Sequence, residues 1–165
     1  MVKGAIVCGF FGFYLVVCGC SRSSVSQTPA KDIVATLEQA FAFRMPNNSA
    51  NLKAIKFSIY SPLKGHETSF VYVRFETDFR GRADLIASFP EALHVLDGLR
   101  PAHNSEITAR APWWDVDRQP KVSFASCSKL LPGGSRGLTV YMASADNKEI
   151  IYFQGTITDY TVRPK

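Results

Sequence analysis

Residues 138–157 read LTVYMASADNKEIIYFQGTI, a stretch with the pattern of two strands joined by a turn. Leu138, Val140 and Met142 alternate with more polar neighbours, which is the period of a strand with one buried face. Asp146 and Asn147 supply turn chemistry, and residues 150–157 resume an apolar run. The stretch therefore predicts a β-hairpin near the C-terminus.

A second hairpin is predicted upstream. Residues 55–60 alternate, residues 61–65 read SPLKG and form a turn, and residues 68–77 alternate again. On the second of these strands Phe70, Tyr72 and Arg74 share one face, which indicates a sheet face that is only partly covered. A further short strand is predicted over residues 121–125.

Three segments carry helical patterns. Residues 29–43 place apolar side chains at i, i+3 and i+4 spacing, with Thr28 as the expected N-cap. Residues 79–87 form a second expected helix. Residues 89–97 form a third, because Ser88 and Glu91 have the spacing of a capping box and Gly98 follows as a stop signal.

These elements predict one α+β domain over residues 29–165, an antiparallel sheet of about four to five strands with helices packed on one face. The net charge of +5 over 165 residues is too small for a nucleic-acid footprint, so we expect no nucleic-acid partner. No metal-ligand spacing or nucleotide-binding motif occurs, and we expect no cofactor and no metal.

The N-terminus carries a short apolar run, residues 4–17, after one lysine, and this run is too short to cross a bilayer. Its end, Val17-Cys18-Gly19-Cys20, resembles the lipobox of bacterial type II signal peptides, although Cys18 departs from the small residue usual at that position. The resemblance implies a signal peptide over residues 1–19 and an acylated Cys20. An ordinary secretory signal and an uncleaved anchor are the alternatives.

The resemblance also implies a place in the cell envelope, with the lipid bilayer as one partner. Ser21 resembles the residue that directs sorting to the outer membrane, facing the periplasm, where the host has one. Residues 20–28 are Ser-rich and without periodicity, so we expect a flexible tether that holds the domain close to the membrane.

The candidate binding segment is residues 100–120, which holds both tryptophans and a predicted short strand at residues 106–110. One interpretation is a recognition loop, in which Trp113 or Trp114 is exposed beside Arg110, Arg118 or Lys121. The other interpretation is that the tryptophans fill the core.

Catalytic motifs are weak. Gly133-Gly134-Ser135-Arg136-Gly137 matches Gly-x-Ser-x-Gly, but a strand follows the serine where the nucleophile elbow needs a helix, so we interpret it as a flexible glycine turn leading into a strand. Cys127 has no evident base and is expected to be buried; His94 is expected to be peripheral.

The predicted function is therefore a non-enzymatic binding or scaffolding lipoprotein, whose partner is an envelope protein or a glycan. An inhibitor or immunity-type protein acting on an envelope enzyme is one alternative. A small envelope hydrolase that uses Cys127 or Ser135 is the other.

Overall fold

The computed structural model describes residues 22–26, 28–61, 65–90, 96–97 and 105–160. These residues form an antiparallel sheet in the order β1-β2-β3-β7-β6-β5-β4. Five strands are long, and the edge strands β1 and β4 are short. The strands are β1 Arg22–Ser26, β2 Ala50–Ser61, β3 His66–Thr77, β4 Leu96–Asp97, β5 Val122–Leu131, β6 Gly134–Ala145 and β7 Lys148–Asp159.

Both predicted hairpins are confirmed. Strands β6 and β7 pair from Gly134 and Asp159 down to Ala145 and Lys148, and the turn residues Asp146 and Asn147 have φ of 50° and 62°. Positive φ at both positions is the geometry of a type I′ turn, which asparagine tolerates. Strands β2 and β3 form the other hairpin, and β3 pairs with β7 to join the two into one sheet.

Helices α1 (Ala30–Phe41) and α2 (Phe79–Ser88) cover one face of this sheet. The predicted apolar stripe of α1 is confirmed, since Ile33, Val34 and Leu37 are buried against the sheet. Asp78 is the N-cap of helix α2, and its carboxylate accepts the Gly81 N–H at 2.7 Å. The sheet side of this core consists of Val71, Val73, Phe75, Leu138, Val140, Met142, Ile151 and Phe153.

The opposite face is covered in part by helix α3 (Ser105–Arg110) and a 3-10 turn at Val116–Arg118. The strand predicted at residues 106–110 is thus wrong. Ile107 and Ala111, four residues apart, place their apolar side chains on the sheet as one helical face. The α+β class and the antiparallel sheet are confirmed, whereas packing of helices on one face holds for α1 and α2 but not for α3.

The helix predicted over residues 89–97 is also wrong where the structure describes it. Phe89 is extended, and Leu96 and Asp97 form β4, paired with Phe124 and Ser123. Ser88 closes α2 instead of starting a helix: its hydroxyl donates to the Leu85 carbonyl at 2.8 Å and accepts the Arg44 N–H at 3.1 Å. His94 and Gly98 lie outside the described residues.

The chain enters the fold through β1, which pairs with β2 from Arg22 to Ser26. The expected flexible tether is wrong for these five residues, because their backbone extends the sheet. Cys20 and the apolar run before it lie outside the described residues. None of the described helices is both long enough and apolar enough to span a membrane.

Candidate functional site

The sheet face opposite α1 and α2 carries a cluster of stacked aromatic rings. Phe57 lies parallel to Phe70, with centroids 5.2 Å apart, and to Tyr72 at 5.9 Å. The ring of Trp114 meets Tyr72 edge-on at 4.9 Å and Tyr152 at 5.4 Å. Alternation along β2, β3 and β7 places these side chains on one side, and Trp114 reaches them from the segment after α3.

The two tryptophans differ in burial. Trp114 is only 5% exposed and fills the centre of the aromatic cluster, as the core interpretation expects. Trp113 is partly buried and packs at the rim, with its ring centroid 6.3 Å from that of Trp114. The segment turns back on itself here, because the Trp114 N–H donates to the Ala111 carbonyl at 2.8 Å. Trp113 is therefore the tryptophan that a partner can touch.

The basic residues of the candidate segment lie at different places. Arg110 holds its guanidinium 5.0 Å from the ring centroid of Phe57, a cation–π distance. Arg118 ends the 3-10 turn and Lys121 precedes β5; both are exposed. The structure thus joins Arg110 to the aromatic cluster through Phe57.

A polar network under Trp114 holds the segment onto the sheet. The Tyr152 hydroxyl donates to Asp115 at 2.6 Å and accepts from the Gln119 amide at 3.0 Å. The Arg74 guanidinium lies 3.6 Å from the same Asp115 oxygen and 3.3 Å from Glu76. Asp115 and Gln119 flank the 3-10 turn, so these bonds fix its position.

Tyr152 is completely buried, and this burial raises the pKa of its hydroxyl, with the hydrogen bond to Asp115 acting in the same direction. The phenol therefore keeps its proton across the physiological range and acts as a hydrogen-bond donor. Burial likewise raises the pKa values of Tyr72 and Tyr141. We interpret the network as positioning machinery for the segment.

A shallow groove with a volume of about 280 Å³ lies beside the aromatic cluster. Tyr141 connects the two, because its ring packs on Trp114 and its hydroxyl donates to the Gln154 amide oxygen at 3.2 Å. Phe70 flanks the groove from the other side as the cross-strand partner of Thr156. The polar side chains of the groove are Ser126, Ser128, Thr139, Gln154 and Thr156.

The thiol of Cys127 belongs to the opposite face. Cys127 is partly buried, against the expectation of full burial, and lines a cavity of about 140 Å³ between β5 and the ends of α1 and α2. The lining residues that the structure describes include Lys129, Phe41 and Phe89, with no histidine or carboxylate among them.

Ser135 lies in strand β6, paired with Leu130 and Thr158. The interpretation of residues 133–137 as a turn leading into a strand is confirmed, because Gly133 lies in the β5–β6 turn and Gly134 begins β6. In the part of the chain that the structure describes, no three metal-ligating side chains come together.

Sequence reasoning found Trp113, Trp114 and Arg110 but missed both the Arg74–Asp115–Tyr152 network and the polar groove. The available signal was the strand alternation that places Arg74 beside Tyr72 on the partly covered face. Comparison with protein-family models, with curated proteins and with solved structures finds no match to the chain.

Proposed function

We propose that the chain is a lipid-anchored protein of the cell envelope that binds another envelope component through the face carrying Trp113 and the polar groove. The observation that carries the proposal is the composition of this face. Accessible aromatic rings adjoin a groove of hydroxyl and amide groups, and α3 leaves that groove uncovered. Aromatic planes with nearby hydrogen-bonding groups suit a glycan ring or an extended polar segment of a protein.

The anchor rests on the resemblance of residues 17–20 to a lipobox and on the place where the chain enters the sheet. Strand β1 begins at Arg22, two residues after Cys20. An acyl group on Cys20 would hold the domain directly on the membrane. The location is the outer membrane, facing the periplasm, if the host has one.

Labelling with a fatty-acid analogue tests the anchor. Cells that express the wild-type chain should incorporate label, and cells that express Cys20→Ala should not. Equal labelling of both chains would rule the anchor out.

The binding face is tested with Trp113→Ala. Capture of binding components from solubilised envelopes, followed by mass spectrometry, identifies the partner. Titration with that partner should then show affinity about thirtyfold weaker for the variant, since an aromatic anchor contributes 2 kcal/mol or more. Phe79→Ala removes an exposed aromatic residue of α2, which covers the opposite face of the sheet, and is the matched control.

Trp114→Ala separates binding from folding. Because Trp114 fills the aromatic cluster, its truncation should cost about 3–5 kcal/mol of unfolding free energy, whereas Trp113→Ala should cost much less. Urea denaturation measures both values. Equal large losses for the two variants would place Trp113 in the core and contradict its role in binding.

A further inference from the structure

One row of cross-strand partners crosses the sheet at the end where the chain enters it. The row runs from Arg22 through Tyr60, Glu67, Asp159 and Gly134 to Leu131. Neighbouring strands lie about 4.8 Å apart, so the row spans about 24 Å. The residue that follows Cys20 by two positions and the tip of the β5–β6 hairpin therefore belong to the same end of the sheet.

This end carries an apolar tip, which we define as Leu130, Leu131, Pro132 and Tyr160. Leu130 is 84% exposed and Tyr160 is 52% exposed, while Leu131 and Pro132 are also exposed. Tyr160 is held against the hairpin turn, because its N–H donates to the Gly133 carbonyl at 2.9 Å. A single exposed leucine is ordinary on a protein surface, but here two leucines, a proline and a tyrosine are exposed together at one end of a hairpin.

The charges around the tip suit a membrane interface. Lys129, next to Leu130, is exposed and has a long side chain that can reach the head groups. The negative charge of Asp159 is neutralised locally, since its carboxylate accepts from Arg136 at 2.8 Å. Tyrosine is itself enriched at the boundary between head groups and acyl chains.

We propose that the apolar tip inserts into the lipid bilayer beside the acylated Cys20 and gives the domain a second point of attachment. The inference rests on the proposed anchor. Only Ser21 stands between Cys20 and β1, so Cys20 and Arg22 are separated by at most about 7 Å. Leu131 lies at the other end of the row, about 24 Å from Arg22, so a row that lies along the membrane surface brings the exposed leucines to the lipid.

The test measures the depth of a nitroxide label in the acylated full-length protein. The label is attached to Leu130→Cys in a Cys127→Ser background, and the protein is placed in vesicles of phosphatidylcholine and phosphatidylglycerol. We expect the label to be shielded from a water-soluble nickel chelate and open to oxygen. Phe79→Cys is the matched control, because Phe79 is 77% exposed and follows the opposite end of β3; its label should be open to the chelate.

Fatty-acid labelling of the same preparation separates the two proposals. If the protein is acylated but the nitroxide at residue 130 is as accessible to the chelate as the nitroxide at residue 79, the tip insertion is wrong and the anchor stands. A label that is buried only after an envelope enzyme or a second copy of the chain is added also overturns it, in favour of a protein partner. Absence of acylation overturns both proposals.

Discussion

At the scale of single residues, Glu76 is a carboxylate that accepts hydrogen bonds from three side chains. Its Oε2 accepts from Asn51 at 2.9 Å and from Lys148 at 3.1 Å, and its Oε1 accepts from Arg74 at 3.3 Å. The hydrogen bond from Asn51, followed by that from Lys148, lowers the pKa of Glu76 below its ordinary value of 4.5. Glu76 thus ties β2, β3 and β7 together at the end of the sheet away from the apolar tip.

The lowered pKa makes stability depend on pH on the acid side. Because the unfolded chain protonates Glu76 at higher pH than the folded chain does, the contribution is present above pH 4.5 and is lost as pH falls through the folded pKa. We expect Glu76→Gln to be less stable than wild type at pH 7 and to lose less stability on acidification. Urea denaturation of both proteins at pH 7 and below pH 4.5 measures the change in unfolding free energy.

Lys148→Met provides an internal check, because it removes one donor and should shrink the acid-side loss without abolishing it. If Glu76→Gln lost as much stability on acidification as the wild type, another group would control the response.

The residue scale also shows what the sequence could and could not reveal about the site. The adjacent tryptophans in a segment bounded by prolines predicted the position of the candidate site. The structure shows that they differ in burial, because Trp114 lies inside the aromatic cluster and Trp113 lies at its rim. The hydrogen bond and ion pair that join Arg74, Asp115 and Tyr152 connect residues up to 78 positions apart in the sequence. Such a contact depends on strand order and register, which local periodicity does not encode.

At the scale of elements, the apolar period of the sequence predicted those helices and strands that bury one face in the core. Helix α1 and the two hairpins follow their apolar periods, so their existence and pairing were predictable. Residues 96–97 were predicted as helix but form β4, and residues 106–110 were predicted as a strand but lie in α3. Tertiary contacts set both structures, because β4 pairs with β5 and α3 packs Ile107 onto the aromatic face. Strand β1 was missed because its polar sequence gives no alternation, while its backbone finds partners on β2.

Strand β6 contains two glycines with different surroundings, and they give a prediction at the level of this element. A Cβ added at Gly134 would collide with the backbone carbonyl oxygen of Thr158, whereas a Cβ at Gly137 would meet no atom within 4 Å. Gly134→Ala must therefore separate β6 from β7 near Asp159, and we expect it to cost about 1–3 kcal/mol of unfolding free energy.

Gly137→Ala is the matched control in the same strand and should change the unfolding free energy by less than about 1 kcal/mol. Thermal and urea denaturation of both variants measure the effects. Similar costs for the two substitutions would show that the close contact at Gly134 does not determine the β6–β7 register.

At the scale of the whole molecule, the two proposals define an orientation. The row from Arg22 to Leu131 lies against the bilayer, and the opposite end of the sheet, with Glu76 and the β6–β7 turn, points away from it. Strand β3 has 12 residues, which corresponds to a height of about 40 Å. The face with Trp113 and the polar groove therefore stands up from the membrane and is open to partners that approach from the side.

In the proposed orientation the short connection between Cys20 and β1 keeps the apolar tip within reach of the bilayer, and lengthening this connection tests the proposal. A Gly/Ser linker of about 12 residues inserted between Ser21 and Arg22 has an r.m.s. reach of roughly 19 Å. The apolar tip is then no longer pressed onto the lipid, because its local concentration at the bilayer falls with the longer tether. We expect unchanged fatty-acid labelling of Cys20 but greater access of the nickel chelate to a nitroxide at residue 130.

The same linker added after Lys165 is the control and should leave the access of the chelate to residue 130 unchanged. If the inserted linker had no effect on the depth of the label, the tip would bind lipid by its own affinity, and the position of β1 would not be the cause of the orientation.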